Sequence, residues 1–435
     1  MKFYSTNSPA VHVPFKEAVF NSLPQDKGLY MPVSTPKLNP DFLSNLAKYT
    51  LPEIALEVAK TMLGDTIPEK DLKAIIDDAI NFEAPIVKLE EDVYVLELFH
   101  GPSLAFKDFG ARFMSRIMSY FLRDGEKLLD ILVATSGDTG GAVALGFLGV
   151  PNTRVTILYP KGKISPIQEQ QLTTNGLNIR AVEVDGTFDD CQALVKATFV
   201  NDELNKKFRL TSANSINIAR LIPQTFYYFN AYAQLLRQGK TEVVFCVPSG
   251  NFGNIGAGLL AWKMGLPVKQ FIAATNANDT VPQFLNTGFY KPKPSVQTLS
   301  NAMDVGNPSN WIRIAHIFQD PEKLKQLLTA CSYTDGQTKQ AIEAIYKQYG
   351  YVVCPHTAIA WQALKDYQKA HPAGKAAGIF LATAHPCKFP EVFSDKISAK
   401  IVVPEQVKEL EGKPSLSVAL GTDFAGFKQY LINNA

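Results

Sequence analysis

A chain of 435 residues, 46% hydrophobic and 19% charged, is long enough to bury a large core divided between two or three domains. Its 43 lysines and arginines against 41 acids leave no net field to draw nucleic acid or an anionic membrane, so neither is expected as a partner. The opening Met1-Lys2-Phe3-Tyr4-Ser5-Thr6-Asn7 lacks the apolar core of a signal peptide, and no later apolar run has the length to span a bilayer. Five scattered cysteines (Cys191, Cys246, Cys331, Cys354 and Cys387) form no Cys-x-x-Cys pair, which fits a reducing cytoplasm. His385-Pro386-Cys387 and Cys354-Pro355-His356 each place two soft ligands together, but each proline predicts an extended path and no further ligand stands at a metal-site spacing. No metal is expected.

In residues 1–91 prolines and short helical patterns dominate. Apolar spacing predicts helices over 41–49, 52–63 and 69–80, the last with Leu72, Ile75, Ile76 and Ala79 on one stripe. A mostly helical segment is expected, begun by the turn-rich Gln25-Asp26-Lys27-Gly28-Leu29-Tyr30-Met31-Pro32. It carries no obvious chemistry.

From Val93 onward strands, glycine turns and helices alternate. His100-Gly101-Pro102-Ser103 reads as a turn, and Phe106, Phe109, Phe113, Ile117 and Tyr120 then recur at the spacing of a helix with one buried face. Lys107 opens that helix. An ammonium held among aromatic neighbours loses hydration, which lowers its pKa and frees an amine able to attack a carbonyl. Taken alone, Lys107 with Asp108 reads more simply as a surface pair worth little.

Strands are predicted over 128–134, 155–159, 179–184, 243–247 and 268–274. Helices are predicted over 166–174, 188–199, 216–236 and 255–264, with a further one opening at Ala142. This alternation predicts an α/β fold built on mostly parallel, doubly wound sheets, with ligands at the carboxyl ends of the strands.

Two strand ends share a Ser-Gly-x-x-Gly turn feeding a helix: Thr135-Ser136-Gly137-Asp138-Thr139-Gly140-Gly141 and Ser249-Gly250-Asn251-Phe252-Gly253-Asn254. Neither has the spacing of a Walker A or dinucleotide loop. The second is neutral, and its bare amides and helix start suit a phosphate dianion, with Gly250 and Gly253 letting the backbone come close. The first already carries a carboxylate at Asp138, so it suits hydroxyl and ammonium groups, or a carboxylate reached by Thr135, Ser136 and Thr139. Either loop alone is equally a plain structural turn.

A third cluster runs Thr211-Ser212-Ala213-Asn214-Ser215-Ile216-Asn217-Ile218-Ala219-Arg220. Ser215 or Asn214 is expected to cap the following helix, and Arg220 among short donors suits capture of a second phosphate. A fourth is the buried strand ending at Ala382-Thr383-Ala384-His385-Pro386.

Together these stretches resemble pyridoxal-phosphate enzymes of the tryptophan synthase β fold (fold type II), and more narrowly the threonine synthase family. The resemblance rests on Phe99-His100-Gly101-Pro102-Ser103-Leu104-Ala105-Phe106-Lys107-Asp108-Phe109, on both glycine loops, and on Ser212 to Asn217. Ser300-Asn301-Ala302-Met303-Asp304-Val305, Cys354-Pro355-His356-Thr357-Ala358 and Ala382 to Pro386 complete the series in family order.

The resemblance implies a helical N-terminal domain (1–92), a catalytic subdomain with the lysine and substrate loop (93–225), and a second with the phosphate loop (226–435). It implies pyridoxal 5'-phosphate held covalently by Lys107, its phosphate on Gly250, Asn251, Phe252, Gly253 and Asn254, its ring nitrogen at Thr383, and Asp138 near its 3' oxygen. Thr135, Ser136 and Thr139 would meet the substrate O-phospho-L-homoserine, and Ser212, Asn214 and Arg220 its phosphate. The implied reaction is elimination of phosphate and addition of water to give L-threonine, by a cytoplasmic, monomeric lyase of threonine biosynthesis. The alternative is another lyase on the same scaffold, such as a serine/threonine dehydratase or a phospho-lyase.

Overall fold

The computed structural model describes residues 1–122, 127–318 and 320–435. Its first segment is not purely helical. β1 (Lys2–Ser5), β2 (Ser8–Pro14) and β3 (Tyr30–Pro32) form an antiparallel sheet in the order β2-β1-β3. Phe3 and Ser5 face the core from alternate positions of β1, but a strand this short leaves little periodicity to read. Helices Leu51–Leu63 and Glu69–Ala79 follow, the second burying the expected Leu72, Ile75, Ile76 and Ala79.

Two parallel sheets carry the rest. One joins β4 (Ile86–Glu90), β5 (Val93–Glu97), β10 (Val243–Pro248), β11 (Gln270–Thr275), β12 (Leu328–Ser332) and β13 (Ala377–Ala382), in the order β12-β11-β10-β13-β5-β4. Only β4, at the edge, runs antiparallel. The other joins β6 (Leu129–Ala134), β7 (Thr153–Pro160), β8 (Ile179–Val184), β9 (Arg209–Ser212) and β14 (Val418–Leu420), in the order β14-β8-β7-β6-β9.

Sheet membership departs from the contiguous boundaries expected at 93–225 and 226–435. β5 lies beside β13, with Val93 opposite Gly378, and so belongs with the later strands. β14 returns to β8, and Phe427 and Leu431 of helix Phe424–Asn433 complete the core that Val182, Val184 and Leu194 begin. A parallel strand needs a distant ladder partner. Position along the chain therefore does not decide which sheet it joins.

The helix begun by Lys107 runs to Phe121. Its expected single apolar face is an understatement. Phe109, Phe113 and Ile117 are buried, but so are Asp108, Arg112 and Ser115, because helices Glu69–Ala79, Asp138–Phe147 and Ile218–Leu221 pack around it. Each fully enclosed phenylalanine contributes about 1.5–3 kcal/mol of burial, so the helix is a rigid mount for its first residue. The helix expected over 216–236 is broken into Ile218–Leu221 and Gln224–Leu236. Pro223, which has no N–H to give, stands between them. Asn217, not Ser215 or Asn214, caps the first piece by accepting from the Ala219 amide at 3.0 Å.

The two prolines expected to extend the Cys/His pairs instead start helices, Pro355 at the head of Pro355–Ala370 and Pro386 at the head of the short turn Pro386–Lys388. Among the described residues no group of three or more histidine, cysteine or acidic side chains is placed to hold a metal ion. No described helix is long and apolar enough to cross a membrane.

Candidate active site

Lys107 stands where the connection leaving β5 turns into helix. Leu104 takes a left-handed φ of 60°, and the chain is then laced to the end of β13: Phe106 N donates to Thr383 O at 2.9 Å and His385 N to Leu104 O at 3.0 Å. Thr383 is thereby fixed beside the lysine. The surface-pair reading of Lys107 and Asp108 fails. The Lys107 side chain is 13% exposed, Asp108 is fully buried, and Asp108 accepts from the Ser103 amide at 2.9 Å.

Lys107 Nζ lies 4.0 Å from Asp138 Oδ2 and 5.7 Å from the Phe106 ring. Burial pulls its pKa down to about 8, with Lys388 and Arg220 pushing the same way and Asp138 opposing them. For Asp138 burial acts to raise the pKa, but Lys388 and then Lys107 hold the carboxyl well below the usual range. His356, buried nearby, is pulled down to about 4, chiefly by burial, so its imidazole is neutral. Its Nε2 accepts from the Ala302 amide at 3.2 Å.

The Asp138 loop closes β6. Gly137 takes φ +126°, and a Cβ there would lie 2.5 Å from the Gln168 carboxamide. Thr135 Oγ1 accepts from the amides of Gly137 at 3.0 Å and Gly140 at 2.8 Å, so this hydroxyl shapes the turn. The helix accordingly starts at Asp138 rather than Ala142. Ser136 and Thr139 are half-buried. Asn214 bonds both backbone groups of Ala134, at 3.3 and 2.8 Å, and Ser212 Oγ bonds Asn214. These two brace the strand end. Arg220, 1% exposed, donates Nη1 to Ala213 O and packs against Gly110, and its Nε has no partner among the described residues.

The neutral loop closes β10. Helix Gly253–Lys263 begins without a side-chain cap, behind Phe252 in a left-handed conformation (φ 58°). That alternation turns successive amides toward one side, an anion-binding arrangement. Gly250 is required for another reason than ligand approach: a Cβ there would lie 2.5 Å from Met303 Cα. Asn251 bonds Ser215 Oγ at 2.7 Å and the Ser309 amide at 2.6 Å, tying the loop to the Ser212–Arg220 cluster. The Tyr227 and Tyr228 hydroxyls both donate to Asn254 Oδ1 at 2.7 Å, which leaves its buried Nδ2 without a partner among the described residues.

Two side chains at this centre escape the sequence reading. Lys388 is fully enclosed, 2.7 Å from Asp138 Oδ1. Gln168 donates to the same oxygen at 2.9 Å. The signal for Lys388 was a lone lysine inside the apolar stretch Cys387-Lys388-Phe389, five residues past Thr383. For Gln168 it was the capping pattern Ser165-Pro166-Ile167-Gln168.

The family described as "Pyridoxal-phosphate dependent enzyme" matches residues 81–382, "Threonine synthase N terminus" matches 2–80, and "Threonine synthase, C-terminal" matches 357–431. Threonine synthase of Haemophilus influenzae is 45% identical over the full length of both chains, and that of Escherichia coli 44%. The chain belongs to the threonine synthase family.

The crystal structure of threonine synthase from Escherichia coli superposes with a TM-score of 0.92 at 44% identity, covering 100% of both chains. The PLP-bound threonine synthase from Brucella melitensis gives 0.91 at 34%, covering 100% of this chain and 99% of that one. The fold is thus the tryptophan synthase β-like one, and the chain is a pyridoxal-phosphate-dependent lyase. Its residues fit the cofactor. The unpartnered Asn254 Nδ2, the uncapped amides behind Phe252 and the buried, readily deprotonated Lys107 are three groups that such a ligand would satisfy.

Proposed function

We propose that the chain converts O-phospho-L-homoserine and water to L-threonine and phosphate, the last step of threonine biosynthesis. The observation that carries this reading is the placement of Lys107. A desolvated amine sits between Thr383, at the end of β13, and an ionised Asp138, at the carboxyl ends of parallel strands. Pyridoxal phosphate, when bound, supplies the electron sink that lets carbanions form beside the amino group.

Lys107 would hold the cofactor and, once displaced by substrate, take and return the proton at the α-carbon. A base must be adjacent to its proton, and an amine near pKa 8 releases it again close to neutral pH. The amides from Gly250 to Asn254, with the free Asn254 Nδ2, would hold the cofactor phosphate. Thr383 would offer its hydroxyl to the ring nitrogen, and Asp138, held ionised by Lys388, would accept near the 3' oxygen.

Ser136 and Thr139, half-buried, would bind the amino-acid end of the substrate, on a loop that Thr135 holds in shape. Arg220 would supply the cation for the substrate phosphate, supported by its unpartnered Nε and its influence on Lys107. Ser212 and Asn214 would serve that phosphate by bracing the loop at Ala134. Water must be kept out until the phosphate has left, and the enclosure of Lys107 serves that end. In the same reading the 1–92 segment and the two catalytic subdomains act as one monomer in the cytoplasm, where its five free cysteines remain reduced.

Incubation of the cofactor-loaded protein with O-phospho-L-homoserine decides the matter. L-threonine and inorganic phosphate in equal amounts are expected. A keto acid in place of threonine would contradict the reading and assign a lyase that eliminates without hydration.

A further inference from the structure

Lys388 takes no direct part in that chemistry, yet its side chain is 0% exposed. Burying an ammonium is costly unless it is paired and hydrogen-bonded, so its surroundings are informative. It lies 2.7 Å from Asp138 Oδ1 and donates to Ser103 O at 2.9 Å. Gln168 Nε2 reaches the same Asp138 oxygen at 2.9 Å, and Gln171 Nε2 the same Ser103 carbonyl at 3.1 Å.

The two oxygens of Asp138 are therefore unequally used. Oδ1 is engaged by Lys388 and Gln168. Oδ2 faces Lys107 at 4.0 Å, beyond hydrogen-bond length. The charged and titratable groups that act on Lys107 are Asp138 from helix Asp138–Phe147, Lys388 from turn Pro386–Lys388, Arg220 from helix Ile218–Leu221 and His356 from helix Pro355–Ala370. Asp138 is the one anion among them. Without a competitor its carboxylate would close on Lys107 and lock the amine as an ion-paired ammonium.

We propose that Lys388 is a positioning residue that claims the Asp138 carboxylate and so leaves the Lys107 amine free of an ion pair. This rests on the assignment of Lys107 as the cofactor-bearing lysine. Lys388 also braces the turn before Lys107 through Ser103 O, so the test must separate charge competition from bracing.

Competitive acetylation of the cofactor-free protein across a range of pH, with the Lys107 peptide quantified by mass spectrometry, gives that separation. In the parent protein the labelling midpoint is expected at about 8. Lys388→Met and Lys388→Gln should raise it by about one unit or more, a roughly tenfold loss of free amine at a given pH. Lys388→Arg, which keeps the charge, should leave it near the parent value. In an Asp138→Asn background the Lys388→Met shift should fall to less than half.

Lys388→Gln keeps a donor for Ser103 O, so it decides the question should Lys388→Met fail to fold. An unmoved midpoint in the uncharged variants, or an undiminished shift once Asp138 is Asn, would overturn the proposal. Borohydride trapping of the cofactor on a lysine other than 107 would instead overturn the functional reading and leave these midpoints interpretable on their own.

Discussion

Lys107 was singled out in the sequence at the head of an aromatic helix behind a glycine-proline turn, although it took the family resemblance to prefer a cofactor-bearing amine over a surface pair. Lys388 was not, because nothing local tells a buried lysine from one on the surface. Only the fold brings it against an aspartate 250 residues earlier. Arg220 shows the opposite case. It stood out among short donors, but the structure reveals that part of its guanidinium is committed to Ala213 O and to packing on Gly110. If its remaining N–H groups serve the substrate, Arg220→Ala removes a charged hydrogen bond worth about 1.5–3 kcal/mol. The KM for O-phospho-L-homoserine should then rise about 10- to 100-fold. Cofactor affinity, measured by absorbance titration, should change far less. Equal loss of both would move Arg220 into a purely structural role.

Among the elements, both strand–turn–helix units were legible from their Ser-Gly-x-x-Gly turns. The reasons for the individual glycines were not. Gly250 is set by the approach of Met303, and the left-handed residue of that loop is Phe252, which sequence rules place last for such a conformation. Gly137 is the glycine its turn demands on both counts, backbone angle and space. Gly137→Ala must strain φ and push away the Gln168 carboxamide, which is bonded to Asp138 and to the Ser165 amide. A loss of about 2–3 kcal/mol in urea unfolding is expected, together with a raised KM because Ser136 and Thr139 ride on the same turn. An unchanged unfolding midpoint would show that the turn relaxes freely.

For the whole molecule, the alternation of strands and helices announced parallel sheets, but not which strand joins which sheet. The placement of β5 beside β13, far from it in sequence, is what gathers the site. The lysine turn after β5, the neutral glycine loop after β10 and Thr383 after β13 all issue from one sheet, and the Asp138 loop meets them from the other. The early three-stranded sheet escaped notice because β1 and β3 are short and β2 is exposed along most of its length with no buried alternation, yet it is part of the same body. Arg313 donates to Tyr30 O in β3 and to Ser215 O and Ile216 O beside the neutral glycine loop. The groups gathered at the site converge on one amine. Borohydride reduction of the cofactor-loaded protein followed by peptide mapping tests it most directly. A pyridoxyl adduct is expected on the peptide carrying Lys107, with visible absorbance lost in Lys107→Ala. An adduct on Lys388, or absorbance that persists without Lys107, would contradict it.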